Sequence, residues 1–425
     1  MLQIQMISGE LSPYYCHGGL GIAVENLSAQ LVSLGVVTEV FFPYSERISL
    51  AHTGRCGLTP TPVRVSLDVM SQLDCDLAPN LALFCQKSVN SLSSESKCFV
   101  AHDNESAVSM VIGRKAMDVP SVFWLHSLYD HPLRMHFPPE VRRLLTSESL
   151  LASAIRGSQL LVTSSGLLND ALSVVWPHRL REAQFAIYEA SVAGKVVTVE
   201  SLGLLKERCV SCGGTNVLSR LGLDRSPFVL FPSRPVISKG IGFFQSIAEK
   251  MRDSNLTFVS VGNPSDEVRS ICTNISWIPW LEKDELFELM TKAKAVLYPS
   301  LTEGYGLAAA ESAKFNDNVF CHPVGGLQVL IQRRLVNEIS LSEEELQRLY
   351  HLWGDLLSAE NSTEVCAIWS TQSMDFANVI EQWVSSISYK LSEKGCVSTK
   401  EPRLGEKSWQ CPSWGEVLIR AIERF

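Results

Sequence analysis

The stretch from Ala295 to Ser312 constrains this chain more than any other. Ala295-Val296-Leu297-Tyr298 is a short apolar run that reads as a buried parallel strand, and Leu307-Ala308-Ala309-Ala310-Glu311-Ser312 reads as the start of an Ala-rich helix. Between them runs Pro299-Ser300-Leu301-Thr302-Glu303-Gly304-Tyr305-Gly306. Gly304 and Gly306 permit positive φ and let a ligand approach the backbone, while the N–H groups and positive dipole end of a following helix suit an anion. Two carboxylates frame this turn. Glu303 precedes the helix, and Glu311 lies about 12 Å further on if the intervening chain is helical throughout. One ligand could touch both. On spacing alone, however, two surface charges around a common glycine turn fit equally well.

The rest of the chain must supply the sheet to which such a strand belongs. With 425 residues, 46% hydrophobic and 19% charged, it can bury a large core divided into two or three domains. Its formal net charge of −8 argues against a broad nucleic-acid footprint or a polybasic membrane surface. Met1 to Ile7 has no basic start, and no apolar run approaches the ~18 residues of a membrane span, so a cytoplasmic location is expected. The cysteines are scattered, which suits free thiols in a reducing compartment. Cys209-Val210-Ser211-Cys212 has the look of a zinc knuckle, but the next cysteines, Cys272 and Cys321, are single and distant, so no metal is expected.

Strand and helix patterns alternate along the chain. Gln3 to Ile7 reads as a strand, Gly18-Gly19-Leu20-Gly21 as a loop, Ile22 to Val32 as a helix ended by Gly35, and Glu39 to Phe42 as a second strand. Phe99 to Asp103 and Ser121 to Ser127 read as strands with polar tips, where open α/β sheets bind ligands, so His126 and more weakly His102 are candidates. A half-buried histidine bonded to backbone would look the same. Arg134, Arg142, Arg143 and Arg156, interrupted by Glu140 and Glu148, read as a solvated helix face more readily than as a lipid-contacting patch. Glu200 to Arg225 suits an interdomain connection, and Phe228 to Phe231 begins a second domain whose first loop carries Arg234 and Lys239. Lys283 to Lys292 reads as a helix, Asn318 to Leu327 as a strand with a Gly-Gly-Leu turn, and Ser342 to Glu345 as a capping box opening a helix. Ser385 to Lys407 reads as a polar loop, and Ser413 to Ile419 opens a closing helix.

Taken together these motifs resemble retaining glycosyltransferase family 4, the glycosyl transferases group 1 and glycogen synthase-like enzymes. The resemblance covers nearly the whole chain but is crisp only at 295–327, which carries the Glu-x7-Glu signature, at 228–242, which follows Gly-Arg-x4-Lys-Gly with Ser233 in place of the glycine, and at 18–35. The resemblance implies an α/β chain of GT-B fold, with two Rossmann-like domains of parallel sheet facing each other across a cleft. Residues 1–205 would form the acceptor-side domain, 206–407 the nucleotide-sugar-binding domain, and 408–425 a closing helix. It further implies that Gly18, Gly19 and Gly21 approach the donor phosphates and that Arg234 and Lys239 grip them. His126 would lie near the transferred sugar and Glu303 on its hydroxyls. Gly304, Tyr305, Gly306, Leu307 and Glu311 would complete the donor site, with Glu311 on the ribose. Cys16 stands where glycogen synthases carry lysine, which argues against a glycogen or starch synthase. Gln328-Val329 departs from the family's usual Pro-Glu.

The expected function is transfer of a sugar, of hexosyltransferase type, from a nucleotide sugar to a carbohydrate, lipid-linked or small-molecule acceptor. No cofactor and no metal are expected, since no Asp-x-Asp motif lies near the predicted cleft. Nucleic acid is not expected as a partner, and membrane association is possible but not indicated. Two other readings of the same fold are a sugar-nucleotide epimerase and a non-catalytic nucleotide-sugar-binding protein. Phosphorylases of the large type need a far longer chain.

Overall fold

The computed structural model describes residues 2–8, 19–44, 59–64, 93, 95–102, 106, 118–126, 149–177, 180–205, 217–224, 226–264, 269, 274–359, 362–392 and 411–424. They form two compact units. The first comprises Met1–Ser173, His178–Leu204 and Cys411–Phe425, and the second Val174–Pro177 and Leu205–Gln410.

The first unit is built on β1 (Gln3–Ile7), α1 (Gly19–Ser33), β2 (Val37–Tyr44), β3 (Thr59–Arg64), β4 (Cys98–Ala101), β5 (Ser121–Trp124), α2 (Ser149–Gly157), β6 (Leu160–Ser164), α3 (Ser165–Ser173), α4 (Arg181–Val192) and β7 (Val196–Val199). Its strands form one parallel sheet in the order β3-β2-β1-β4-β5-β6-β7. Every residue of β4, β5 and β6 is buried, as expected of parallel strands covered on both faces, and this is why they read as unbroken apolar runs. The prolines of β3, Pro60 and Pro62, pair in register with Val40 and Phe42 at the sheet edge, where a missing N–H leaves no neighbouring strand unpaired.

Helix α1 begins three residues before the expected start, taking Gly19 and Gly21 into its first turn instead of leaving them in a loop. Ala23, Val24, Leu27 and Leu31 are buried at helical spacing and supply the packing that extends it. It ends in a Schellman motif, with Gly35 at φ 79° and the Val36 N–H donating to the Leu31 carbonyl at 3.0 Å.

The second unit contains α5 (Val217–Leu221), β8 (Phe228–Phe231), α6 (Ile241–Lys250), β9 (Thr257–Val261), β10 (Ile275–Ile278), α7 (Lys283–Lys292), β11 (Ala295–Tyr298), α8 (Leu307–Ala313), β12 (Val319–Cys321), α9 (Leu327–Gln332), β13 (Asn337–Glu338), α10 (Glu343–Ser358), α11 (Ser362–Gln372) and α12 (Ala377–Ser392). The sheet is again parallel, in the order β10-β9-β8-β11-β12-β13. The capping box before α10 forms as expected, with the Glu345 N–H on Ser342 Oγ at 3.2 Å and the Ser342 N–H on Glu345 Oε2 at 2.8 Å.

Ser385 to Ser392 belongs to α12, not to a loop. Val379, Ile380, Trp383 and Ile387 are buried on one face, and that spacing prevails over the polar residues on the other. The last helix, α13 (Trp414–Ile422), is part of the first unit. Trp414 Nε1 donates to the Glu200 carbonyl at 2.6 Å, and the Gly415 N–H to Gln30 Oε1 at 3.1 Å. Gly18, Cys16, Arg134, Arg142, Arg143, Cys209 and Cys212 lie outside the described residues. Arg156, in the last turn of α2, pairs with Glu189 at 2.8 Å on an exposed face.

Candidate functional site

The strand order of the second unit reverses direction between β8 and β11, which is where open α/β sheets bind ligands at their carboxyl ends. The loop after β8 carries Arg234 and Lys239, and the loop after β11 carries Glu303. These loops are held tightly together. The Leu301 N–H donates to the Ser238 carbonyl at 3.0 Å, and a Cβ on Gly240 would lie 1.7 Å from the Pro299 carbonyl oxygen. The result is an ion pair across 64 residues of sequence, Lys239 Nζ to Glu303 Oε2 at 2.8 Å, with the two side chains 19% and 16% exposed. Arg234 is half-buried, and its guanidinium has no hydrogen-bond or ion-pair partner among the described residues.

The Glu303 loop is braced from below by the turn after β12. The Gly326 N–H donates to the carbonyls of both Glu303 and Gly304 at 3.1 Å. Gly325, at φ 49°, has the Glu303 carbonyl oxygen 1.6 Å from where a Cβ would be, so no other residue fits this approach. Of the two glycines in the signature, only Gly306 takes positive φ, at 68°, as the cap of α8; Gly304 does not. Tyr305 is buried and Leu307 half-buried. Helix α8 is a single seven-residue stretch, so cations and loop amides must provide most of the attraction for an anion there. Tyr298 anchors it, with its hydroxyl 2.8 Å from the Ala308 carbonyl and 2.6 Å from Ser312 Oγ. Burial holds the Tyr298 phenol well above its usual pKa, reinforced by the nearby carboxylates of Glu311 and Glu303.

Glu311 is matched by a residue that the sequence did not single out. Lys283, the first residue of α7, places Nζ 2.8 Å from Glu311 Oε1 and 5.4 Å from the Phe287 ring centroid. Two further residues were missed. His322, just past β12, is fully buried and bonded to Trp383 and Ser300, and burial lowers its pKa to about 4. Trp280, past β10, is 56% exposed and lies against Gly262 at the end of β9. The rule that drew attention to His126, a polar tip at a strand's carboxyl end, would have found His322 too.

His126 belongs to the first unit. It follows β5, half-buried, and its Nε2 lies 2.9 Å from Nδ1 of His102, which follows the adjacent β4. Trp124 stacks near both rings, and Trp414 lies 6.2 Å from His126. Burial depresses the pKa of both imidazoles, that of His126 to about 3, so both are neutral at ordinary pH. Of the expected site residues, Arg234, Lys239, Glu303, Gly304, Tyr305, Gly306, Leu307 and Glu311 are in the second unit; His126, Gly19 and Gly21 are in the first. Among the described residues no group of three His, Cys, Asp or Glu side chains could hold a metal ion, and no helix is long and apolar enough to cross a membrane.

Residues 226–357 match the family model described as glycosyl transferases group 1, a span that includes every second-unit candidate from Arg234 to Glu311. No curated protein sequence matches the chain. Among solved structures, sucrose-phosphate synthase from Thermosynechococcus elongatus is similar over 91% of this chain and 100% of its own, with a TM-score of 0.57 at 16% identity. The catalytic domain of starch synthase IV from Arabidopsis thaliana, bound to ADP and acarbose, is similar over 92% and 99% respectively, with a TM-score of 0.57 at 13% identity. Anabaena HepE in complex with UDP-glucose is similar over 92% and 100%, with a TM-score of 0.52 at 15% identity. These identities speak for the fold. The chain thus has the GT-B fold, and its residues 226–357 are similar to the glycosyl transferases group 1 model.

Proposed function

We propose that this chain transfers a sugar from a nucleotide-sugar donor to an acceptor, with retention of anomeric configuration and without a metal ion. The observation that carries the reading is the arrangement at the switch point of the second sheet: an Arg234 guanidinium without a partner among the described residues, on the loop whose Lys239 pairs with Glu303. Glycosyl transfer leaves negative charge on the departing diphosphate, and something must stabilise it as an oxocarbenium-like transition state forms. Arg234 can bind two phosphate oxygens at once, and Lys239 acts as a point charge. Glu303 then holds sugar hydroxyls, Glu311 the ribose hydroxyls, and the departing phosphate takes the acceptor proton on the face where the new bond forms. The nucleotide ligands named for the similar structures, UDP-glucose and ADP, support a nucleotide-sugar donor.

Thermal unfolding with a panel of UDP-, GDP- and ADP-sugars tests this directly, because a ligand at 100 times its dissociation constant stabilises by about 2.7 kcal/mol. The sugar that stabilises should then be transferred or hydrolysed with retained configuration. No stabilisation by any member of the panel, or an inverted product, would overturn the reading.

A further inference from the structure

The contact between His102 and His126 is more informative than either residue alone. Two imidazole nitrogens 2.9 Å apart share one proton, so one ring donates and the other accepts. Burial keeps both rings neutral, which leaves two arrangements. In the first, His126 donates from Nε2 to His102 Nδ1. The proton of His102 is then on its Nε2, which is buried and meets no hydrogen-bonding group of the described protein. In the second, His102 donates from Nδ1 to His126 Nε2, and only a lone pair remains on that buried Nε2. A buried N–H without a partner is rarer and costlier than an acceptor left under-satisfied, so the second arrangement is favoured.

We infer that His102 is a positioning residue that fixes His126 as the Nδ1–H tautomer. The inference rests on the expectation, drawn from the family resemblance, that His126 lies near the transferred sugar. With its Nε2 lone pair engaged by His102, every other hydrogen bond that His126 makes through a ring nitrogen is one it donates from Nδ1. His126 therefore serves the reaction as a hydrogen-bond donor, not as a base. This leaves removal of the acceptor proton to the departing phosphate. The ring plane is constrained as well as the proton, since Trp124 stacks on His102 at 5.6 Å and on His126 at 6.2 Å. Two histidines at the ends of adjacent parallel strands supply this arrangement.

Two-bond 1H–15N spectra of the histidine-labelled full chain at pH 7 test the assignment, with His126 identified by its loss in His126→Phe. The expected spectrum has His126 protonated on Nδ1, and a signal protonated on Nε2 would overturn the inference. This arm needs no activity, so it stands or falls apart from the proposed function. A second arm uses two substitutions. Asparagine carries its amide nitrogen on Cγ, as histidine carries Nδ1, so His102→Asn keeps a donor to His126, whereas His102→Phe removes it. His102→Phe should lower kcat at least about tenfold with nucleoside diphosphate affinity unchanged, and His102→Asn should recover most of that loss. Equal kcat in the two variants, or an effect confined to KM, would sink the positioning role.

Discussion

Trp383 donates its indole N–H to Nε2 of His322 across 2.8 Å. Since indole nitrogen is only a donor and the Ser300 carbonyl, 3.2 Å from Nδ1, is only an acceptor, His322 must be neutral with its proton on Nδ1. One buried ring thus ties α12 to the backbone three residues before Glu303.

A protonated His322 cannot accept from Trp383, and burial has already lowered its pKa to about 4. Its folded pKa therefore lies below the unfolded value of about 6.5, and between the two only the unfolded chain binds the proton. Stability should rise with pH across that window and be lost as pH falls, this residue contributing a slope of about 1.4 kcal/mol per pH unit. Urea midpoints at pH 7, 6 and 5 for the native chain and His322→Asn measure it. His102 and His126 act in the same direction in both proteins, so the difference isolates His322; identical slopes would refute the assignment.

Glu311→Ala should weaken nucleoside diphosphate binding at least about tenfold, since a carboxylate accepting from two ribose hydroxyls contributes on the order of 1.5 to 3 kcal/mol per bond. Lys283→Ala should weaken it less, by releasing the carboxylate it holds at 2.8 Å. Because the two act through one contact, the double variant should be no worse than Glu311→Ala alone. Strict additivity by calorimetry would show that Lys283 touches the ligand independently.

Arg234→Ala and Lys239→Ala should each reduce turnover about 10²- to 10³-fold, by analogy with the loss of one donor to a developing oxyanion. Lys239→Ala also removes the ion-pair partner of Glu303, so it should disturb sugar specificity more than Arg234→Ala does. Transfer should survive EDTA. Loss on chelation with recovery on adding a divalent ion, or full turnover in both variants, would remove the proposed mechanism.

Gly222 and Gly325 both have positive φ, at 69° and 49°, but they differ in surroundings. A Cβ on Gly222 meets nothing within 4 Å, while one on Gly325 would lie 1.6 Å from the Glu303 carbonyl oxygen. Gly222→Ala should therefore cost only about 1 kcal/mol of backbone strain. Gly325→Ala must push the signature loop away, with loss of thermal stability and of nucleotide binding together. Matching unfolding temperatures for the two variants would show that the loop yields without cost.

The elements that short-range chemistry defines are legible in the order of residues alone. Strand β1 and helix α7 have the expected bounds, and the capping box at Ser342 joins residues only three apart. The strand-turn-helix at Ala295 to Ala313 is equally local. Where a residue's local character opposes its packing, local reasoning fails. Ser385 to Ser392 looks polar but follows the buried face of α12, and Gly304 has glycine's freedom without using it.

Loops at strand ends are written in consecutive residues, so Arg234, Lys239, Glu303, Glu311 and His126 can be located from the sequence, but it is the family resemblance, not spacing, that singles them out as one site. Their partners are not so written. Lys239 meets Glu303 from 64 residues away, Lys283 meets Glu311 from 28, and Trp383 meets His322 from 61. His102 meets His126 because β4 and β5 are neighbours in the sheet, and Gly325 is glycine because the Glu303 carbonyl passes over it. Local order along a chain selects strand, turn and helix. Which distant side chains neutralise, orient or crowd one another follows from strand order and close packing, and these exist only once the sheet has formed.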